Sequence, residues 1–167
     1  SYASELVAQI SGLNNGHYLD EELKHSHTTD FCIGVGGYPE KHMEAPSLDK
    51  DIAFLKQKVE AGADYVITQM FFDNQKYFEF VKRCREEGIN CPIIPGLKPI
   101  STIKQLSLLP HRFHVDLPQD LIQAVEACSS NAQVKEVGVE WCIAQSQELI
   151  EAGVPVLHYY TMSRSEN

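Results

Sequence analysis

Gln69 is the residue in this chain that most needs a chemical explanation. It interrupts "ADYVITQMFFDN", residues 63–74, a run that reads as a buried strand, at a position where an apolar residue is expected. Burying a carboxamide without partners costs about 1–3 kcal/mol, so either the fold satisfies it or the position faces a ligand. Its donors and acceptor share one plane, which suits a heterocycle with an amide-like edge such as a pterin or a nicotinamide carboxamide; bonding to neighbouring backbone would explain it too. Phe71 and Phe72 could stack on a flat ligand or fill the core. Tyr38 and His42 lie in the loop after "FCIGVGGYP", and Arg164 lies near the end of the chain. Asp51 and Lys58 fall about two turns apart on one helix flank, which is also the spacing of an ordinary surface charge pair. His25 with His27, and His111 with His114, have no carboxylate or cysteine at metal-ligand spacing, so no metal is expected. No serine or cysteine sits in an elbow-like turn suited to nucleophilic catalysis.

The elements that must position these groups follow from three similar junctions, "KVEAGADYVI", "CREEGINCPII" and "LIEAGVPVLHYY". Each reads as a helix, then Gly62, Gly88 or Gly153, then a β-rich run, with glycine taking the left-handed conformation past the helix end. Strands are expected at about residues 31–37, 64–70, 91–96 and 155–160. Apolar stripes are expected at Ile52, Leu55 and Val59, at Tyr77, Phe80, Val81 and Cys84, and at Val139, Ile143, Leu149 and Ile150. The strands are continuously apolar, which predicts a parallel sheet covered on both faces. A further helix opens at Tyr2, and residues 12–30 read as a polar inserted connection with room for a short helix. "GVGGYP" is not a dinucleotide fingerprint, because Pro39 and Pro46 delay the next helix to about Ser47. Its glycines either pack tightly or admit a flat ligand. The class is α/β, either a doubly wound sheet or part of an eight-stranded barrel, and in both ligands bind at the carboxyl ends of the strands.

A length of 167 residues suits one domain, 1–167. The net charge of −9 argues against a general nucleic-acid or anionic-membrane binder, while leaving room for a small anion at a local basic spot. Cys32, Cys84, Cys91, Cys128 and Cys142 are odd in number and lack zinc spacing, so free thiols in a reducing cytoplasm are expected. No apolar run approaches the roughly 20 residues of a membrane span.

Taken in order, "FCIGVGGYPEKHMEA", "KQKVEAGADYVITQMFFDNQKYF", "PIIPGLKPIS" and "VLHYYTMSR" resemble the methylenetetrahydrofolate reductase family, flavin enzymes on an eight-stranded barrel. The resemblance runs from "YASELV" to "HYYTMSR", with residues 12–30 as a lineage insertion, and corresponds to the second half of the catalytic barrel. It implies a partial (β/α)8 TIM barrel of parallel strands and reduction of methylenetetrahydrofolate to methyltetrahydrofolate, within one-carbon metabolism and methionine biosynthesis. FAD is the implied cofactor, met by Tyr2, Ala3, Tyr38, His42, Ala45, Asp51 and Lys58, with NADH or NADPH as donor. The folate substrate would be met by Gln69, Gln105 and Arg164. Met43 and Ser163 depart from the proline and asparagine common in the family. The family's general acid belongs to the first half, so no catalytic residue is expected here and the chain alone is expected to be inactive. The helical opening without a start methionine implies an upstream half. Two exposed sheet edges call for that missing half or for a second copy in a homodimer. The competing expectation is a noncatalytic flavin- or folate-binding module.

Overall fold

The computed structural model describes residues 2–20, 22–23 and 25–161. Among them, strands β1 (Gly34–Gly37), β2 (Tyr65–Met70), β3 (Ile93–Leu97) and β4 (His158–Tyr159) form one sheet, every pair parallel. The spatial order is β1-β2-β3-β4. A doubly wound sheet reverses direction at a switch point, whereas a barrel adds each strand on the same side of the last; this sheet does the latter. Helix α1 (Ala3–Asn14) precedes the sheet, and α2 (Leu48–Glu60) and α3 (Asn74–Glu86) connect its first strands. Three helices lie between β3 and β4: α4 (Gln105–Phe113), α5 (Gln119–Glu126) and α6 (Asn131–Glu151).

Local chemistry sets the boundaries. Ser47, Asp73 and Ser130 cap α2, α3 and α6 by accepting the backbone N–H of Lys50, Gln75 and Gln133. Gly62, Gly88 and Gly153 leave the same helices at φ of +118°, +83° and +86°, as the three junctions predict. Ile52, Leu55, Phe80 and Cys84 then pack with Val66 and Leu97 on one side of the sheet. A second cluster, including Met70, Phe72, Ile100 and Leu121, lies under α4–α6.

The structure corrects three expectations. Along β2, Val66, Thr68 and Met70 are buried while Tyr65, Ile67 and Gln69 are only half-buried, because the helices cover one face of the sheet among the described residues. The expected cover on both faces is therefore one-sided. On α6 the inward row is Val134, Gly138, Cys142, Ser146 and Leu149, whereas Ile143 and Ile150 are 51% and 59% exposed. The predicted stripe mixed two faces, since the true one includes a glycine and a serine that hydrophobic patterning ignores. Finally, the connection placed at 12–30 begins as the last turn of α1, and its described remainder holds no further helix. It is organised by Asn14, whose side chain donates to Phe31 O at 2.9 Å and accepts from Phe31 N and Thr29 Oγ1, both at 2.8 Å.

The glycines of β1 divide between packing and openness. A Cβ on Gly34 would meet the Tyr65 ring at 2.4 Å and one on Gly37 would meet Val66 at 2.7 Å, whereas on Gly36 the nearest neighbour is Tyr38 Oη at 3.7 Å.

Candidate functional site

The loop after β1 is shaped by its own polar groups. Lys41 adopts φ +81°, a conformation unusual for a side chain other than glycine. Its ammonium compensates by donating to the carbonyls of Ala45 at 2.7 Å, His42 at 3.0 Å and Met43 at 3.5 Å. From the first turn of α2, Asp51 Oδ2 accepts the His42 N–H at 2.7 Å. Glu44 N–H donates to His42 Nδ1 at 3.3 Å, so the neutral ring carries its proton on Nε2. The same ring packs edge-on against Tyr38, with centroids 4.6 Å apart.

Lys58, further along α2, donates to Gly36 O at 2.7 Å. Asp51 and Lys58 make no direct ion pair; instead of the surface pair their spacing allows, one holds the loop and the other holds the end of β1. Burial pushes the Lys58 ammonium below its ordinary range, with the Asp51 carboxylate opposing. Burial and then Asp51 push the Tyr38 phenol up.

Tyr2, Ala3, Tyr38, His42, Asp51 and Lys58 line one cavity of about 410 Å³, with Ser4, Phe54 and Gln57. Ala45 is buried instead, and contributes through the carbonyl that holds Lys41. Sequence reasoning missed Phe54, which is 48% exposed. The available signal was helical spacing, since Asp51, Phe54 and Lys58 share one flank of α2. A smaller cavity of about 250 Å³ between α6 and β4 is lined by Val139, Cys142 and Tyr159 among others and includes none of these charged groups.

The substrate-side expectations divide. Gln69 lines a narrow crevice with Tyr38, Pro39, Glu40 and Lys41 on one side and Phe113, His114 and Val115 on the other. Tyr38 thus borders both the crevice and the larger cavity. Gln69 Oε1 accepts the Met70 N–H at 3.0 Å, at the irregularity where register with β3 shifts. Half of the carboxamide is satisfied by backbone, and its NH₂ is the end that can be presented to a ligand. Gln105 is used locally: its Oε1 accepts the N–H of Ser101 at 2.6 Å and of Thr102 at 3.1 Å, and the residue is not part of the crevice lining. Arg164 lies outside the described residues.

Glu40 was not anticipated. Burial, chiefly, raises its carboxyl to about 7; the Asp116 N–H and Lys76 pull it down, and the Asp116 and Asp73 charges push it up. Tyr160 closes the rim, donating to Thr68 O at 2.9 Å, with its ring beside Gly96. Among the described residues, no group of three His, Cys, Asp or Glu is placed to hold a metal ion. No helix among them is long and apolar enough to cross a membrane.

Comparison with known proteins adds to this geometry. The family model described as methylenetetrahydrofolate reductase matches residues 2–167. A probable methylenetetrahydrofolate reductase (NADPH) of Caenorhabditis elegans is 39% identical over 136 residues, covering 80% of this chain and 20% of its own length. Methylenetetrahydrofolate reductase (NADH) 1 of Arabidopsis thaliana is 36% identical over 143 residues, covering 80% and 24%. The chain therefore spans about a quarter or less of the length of these relatives. A solved structure, an uncharacterized protein from Clostridium thermocellum that binds two copies of 5-methyl-5,6,7,8-tetrahydrofolic acid, superposes with a TM-score of 0.54 at 18% identity. The match covers 82% of this chain and 50% of that one, and it shows a shared fold.

Proposed function

Because this chain belongs to the methylenetetrahydrofolate reductase family, we propose that it holds FAD and orients the folate in a flavin-dependent reductase that converts methylenetetrahydrofolate to methyltetrahydrofolate. The observation that carries this reading is the meeting of Tyr2, Ala3, Tyr38, His42, Asp51 and Lys58 in one cavity whose wall, Tyr38, also borders Gln69. The donor set suits a flat, anionic cofactor. Lys58 presents a partly desolvated ammonium for a phosphate, Tyr2 and Phe54 offer aromatic faces, and Gly36 leaves room beside Tyr38.

FAD held by these residues would supply the hydride-transfer chemistry between NADH or NADPH and the folate. The chain's own residues hold and orient. The Lys41 wrap and the Asp51 contact fix the loop before any ligand arrives, so binding costs less ordering entropy. Gln69 directs its NH₂ toward the pterin, and Gln105 and Arg164 complete the substrate side. Gln105 acts through the turn it caps.

The sheet face bearing Tyr65, Ile67 and Gln69, and the outer edges of β1 and β4, require cover. The complementary half of a closed barrel supplies both, and a homodimer of this chain is the second way to do so. Residues 1–167 are then one domain's second half, inactive alone, in a cytoplasmic enzyme of one-carbon metabolism and methionine biosynthesis.

The test uses the full-length protein. It should carry flavin absorbance, be bleached anaerobically by NADH or NADPH, and regain colour on addition of methylenetetrahydrofolate. A protein that takes up no FAD and reduces no folate sinks the reading. Tight flavin binding without turnover would favour a noncatalytic module.

A further inference from the structure

Glu40 ties together two segments far apart in sequence. Both of its carboxylate oxygens accept the Asp116 N–H, at 3.2 and 3.3 Å. The Asp116 carboxylate in turn lies 3.6 Å from Lys76 Nζ on α3. Glu40 follows Tyr38 and Pro39 in the cofactor-side loop, whereas Asp116 follows His114 and Val115, which form the opposite wall of the Gln69 crevice. Each wall contains a residue other than glycine with positive φ beside the contact, Lys41 at +81° and His114 at +54°. His114 takes this conformation as the left-handed C-cap of α4, and Lys41 is held in its own by the carbonyls its ammonium meets, so both walls are locally fixed beside the contact.

We propose that Glu40 is a positioning residue whose carboxylate clasps the cofactor-side loop to the Phe113–Asp116 segment, so that the two walls around Gln69 close as one unit on the substrate. The proposal rests on the reading that Gln69 meets the folate. The clasp is a hydrogen bond to an ionised acceptor, about twice as strong as its neutral counterpart. It is therefore tighter when Glu40 is charged. The groups facing Glu40 are Asp116 from the wall segment, and Lys76 and Asp73 from α3; Lys41 and His114 share the crevice. With a carboxyl that titrates at about 7, the clasp loosens as pH falls through neutrality.

The test compares the full-length protein with Glu40→Gln, which is isosteric with the neutral acid. Amide hydrogen exchange, corrected for intrinsic rates, should show protection at Asp116 and across residues 41–45 falling severalfold from pH 8 to pH 6 in the wild type. In the variant it should be low at both. Steady-state kinetics should show the variant's KM for methylenetetrahydrofolate raised roughly three- to tenfold at pH 8 with kcat within about twofold, the two proteins converging at pH 6. Unchanged exchange at Asp116 overturns the clasp. A changed exchange with unchanged KM overturns its positioning role, as does a KM ratio independent of pH. If the variant does not fold, the wild-type exchange series decides the clasp alone. Absence of any folate reduction by the wild type refutes the reductase reading while leaving the exchange result standing.

Discussion

Replacing Gly138 with alanine tests whether close backbone approach, rather than hydrophobic patterning, seats the longest helix. A Cβ at this position would lie 1.9 Å from Ile100 O, 2.7 Å from Ile100 C and 2.8 Å from Ile100 N. All three are backbone atoms, so no side-chain rotation relieves the contact. Ordinary contact begins at 3.4 Å, so α6 must retreat from the end of β3 by about 1.5 Å. Alanine is favoured over glycine inside a helix by about 1 kcal/mol, which works against the clash. Overpacking of this kind costs about 1–3 kcal/mol and more where backbone must move, so the net expectation is a loss of about 2 kcal/mol. For a domain of this size that lowers Tm by roughly 4–8 °C. The retreat would also lengthen the hydrogen bonds by which α6 holds the end of β2, Trp141 Nε1 to Phe72 O at 3.0 Å and Gln145 Nε2 to Phe71 O at 3.4 Å. Thermal and urea unfolding, read by far-UV circular dichroism, measure the effect; Gly88→Ala is the comparison, with open space around its Cβ but φ of +83°. An alanine at 138 as stable as the glycine would refute the assigned packing.

Lys58→Met should weaken FAD binding at least tenfold, since hydrogen bonds to charged groups contribute about 1.5–3 kcal/mol; flavin fluorescence titration at two salt concentrations reads both the loss and the removal of its ionic component. The pH dependence of stability follows from Glu40, whose folded carboxyl is raised from 4.5 to about 7. Between those values the folded state holds the extra proton, so this group's contribution is full below about 4.5 and is lost as pH rises through 7; Glu40→Gln should flatten that part of a urea-midpoint profile. Gln69→Leu should raise the KM for folate by at least tenfold while costing only about 1 kcal/mol of stability from the lost Met70 N–H contact, as measured by kinetics and urea unfolding in parallel. Ser47→Ala should cost about 1 kcal/mol at the start of α2, visible as earlier exchange of the Lys50 amide.

What was legible in the sequence is what local chemistry decides. Gly62, Gly88 and Gly153 announce helix ends because the left-handed backbone there penalises any other side chain, and the strands follow within a few residues. Pro39 and Pro46 as breakers place the start of α2 at about Ser47, where the structure has it. Of the residues the resemblance assigns to FAD, all but Ala45 line one cavity, and that convergence owes much to chain proximity, because Tyr38, His42, Asp51 and Lys58 lie within one strand–loop–helix unit. The inward face of α6 was not legible, since its row runs through Gly138 and Ser146 and depends on what Ile100 presents to it. Neither was Gln105, which looks like a free amide in sequence but is engaged by the turn it caps.

Glu40 shows why the crevice around Gln69 is harder to read than the larger cavity beside it. Its neighbours in sequence, Pro39 and Lys41, suggest only a solvated loop, and its partner Asp116 belongs to a segment after α4 that sequence patterning left unresolved. A carboxylate becomes informative only when burial and other charges act on it, and those come from α3 and the far wall. The larger cavity draws most of its lining from residues 38–58, with Tyr2, Ala3 and Ser4 joining from the start of α1, and its loop is stiffened internally by Lys41 and Asp51. The crevice is assembled from the ends of β2 and α4 and from the β1 loop, with Glu40 joining the last two. A rim built this way can keep its loop fixed while one wall responds to protonation, because the Glu40 contact couples the walls where several contacts fix the loop. Loosening Glu40 should therefore alter substrate affinity before it alters flavin retention.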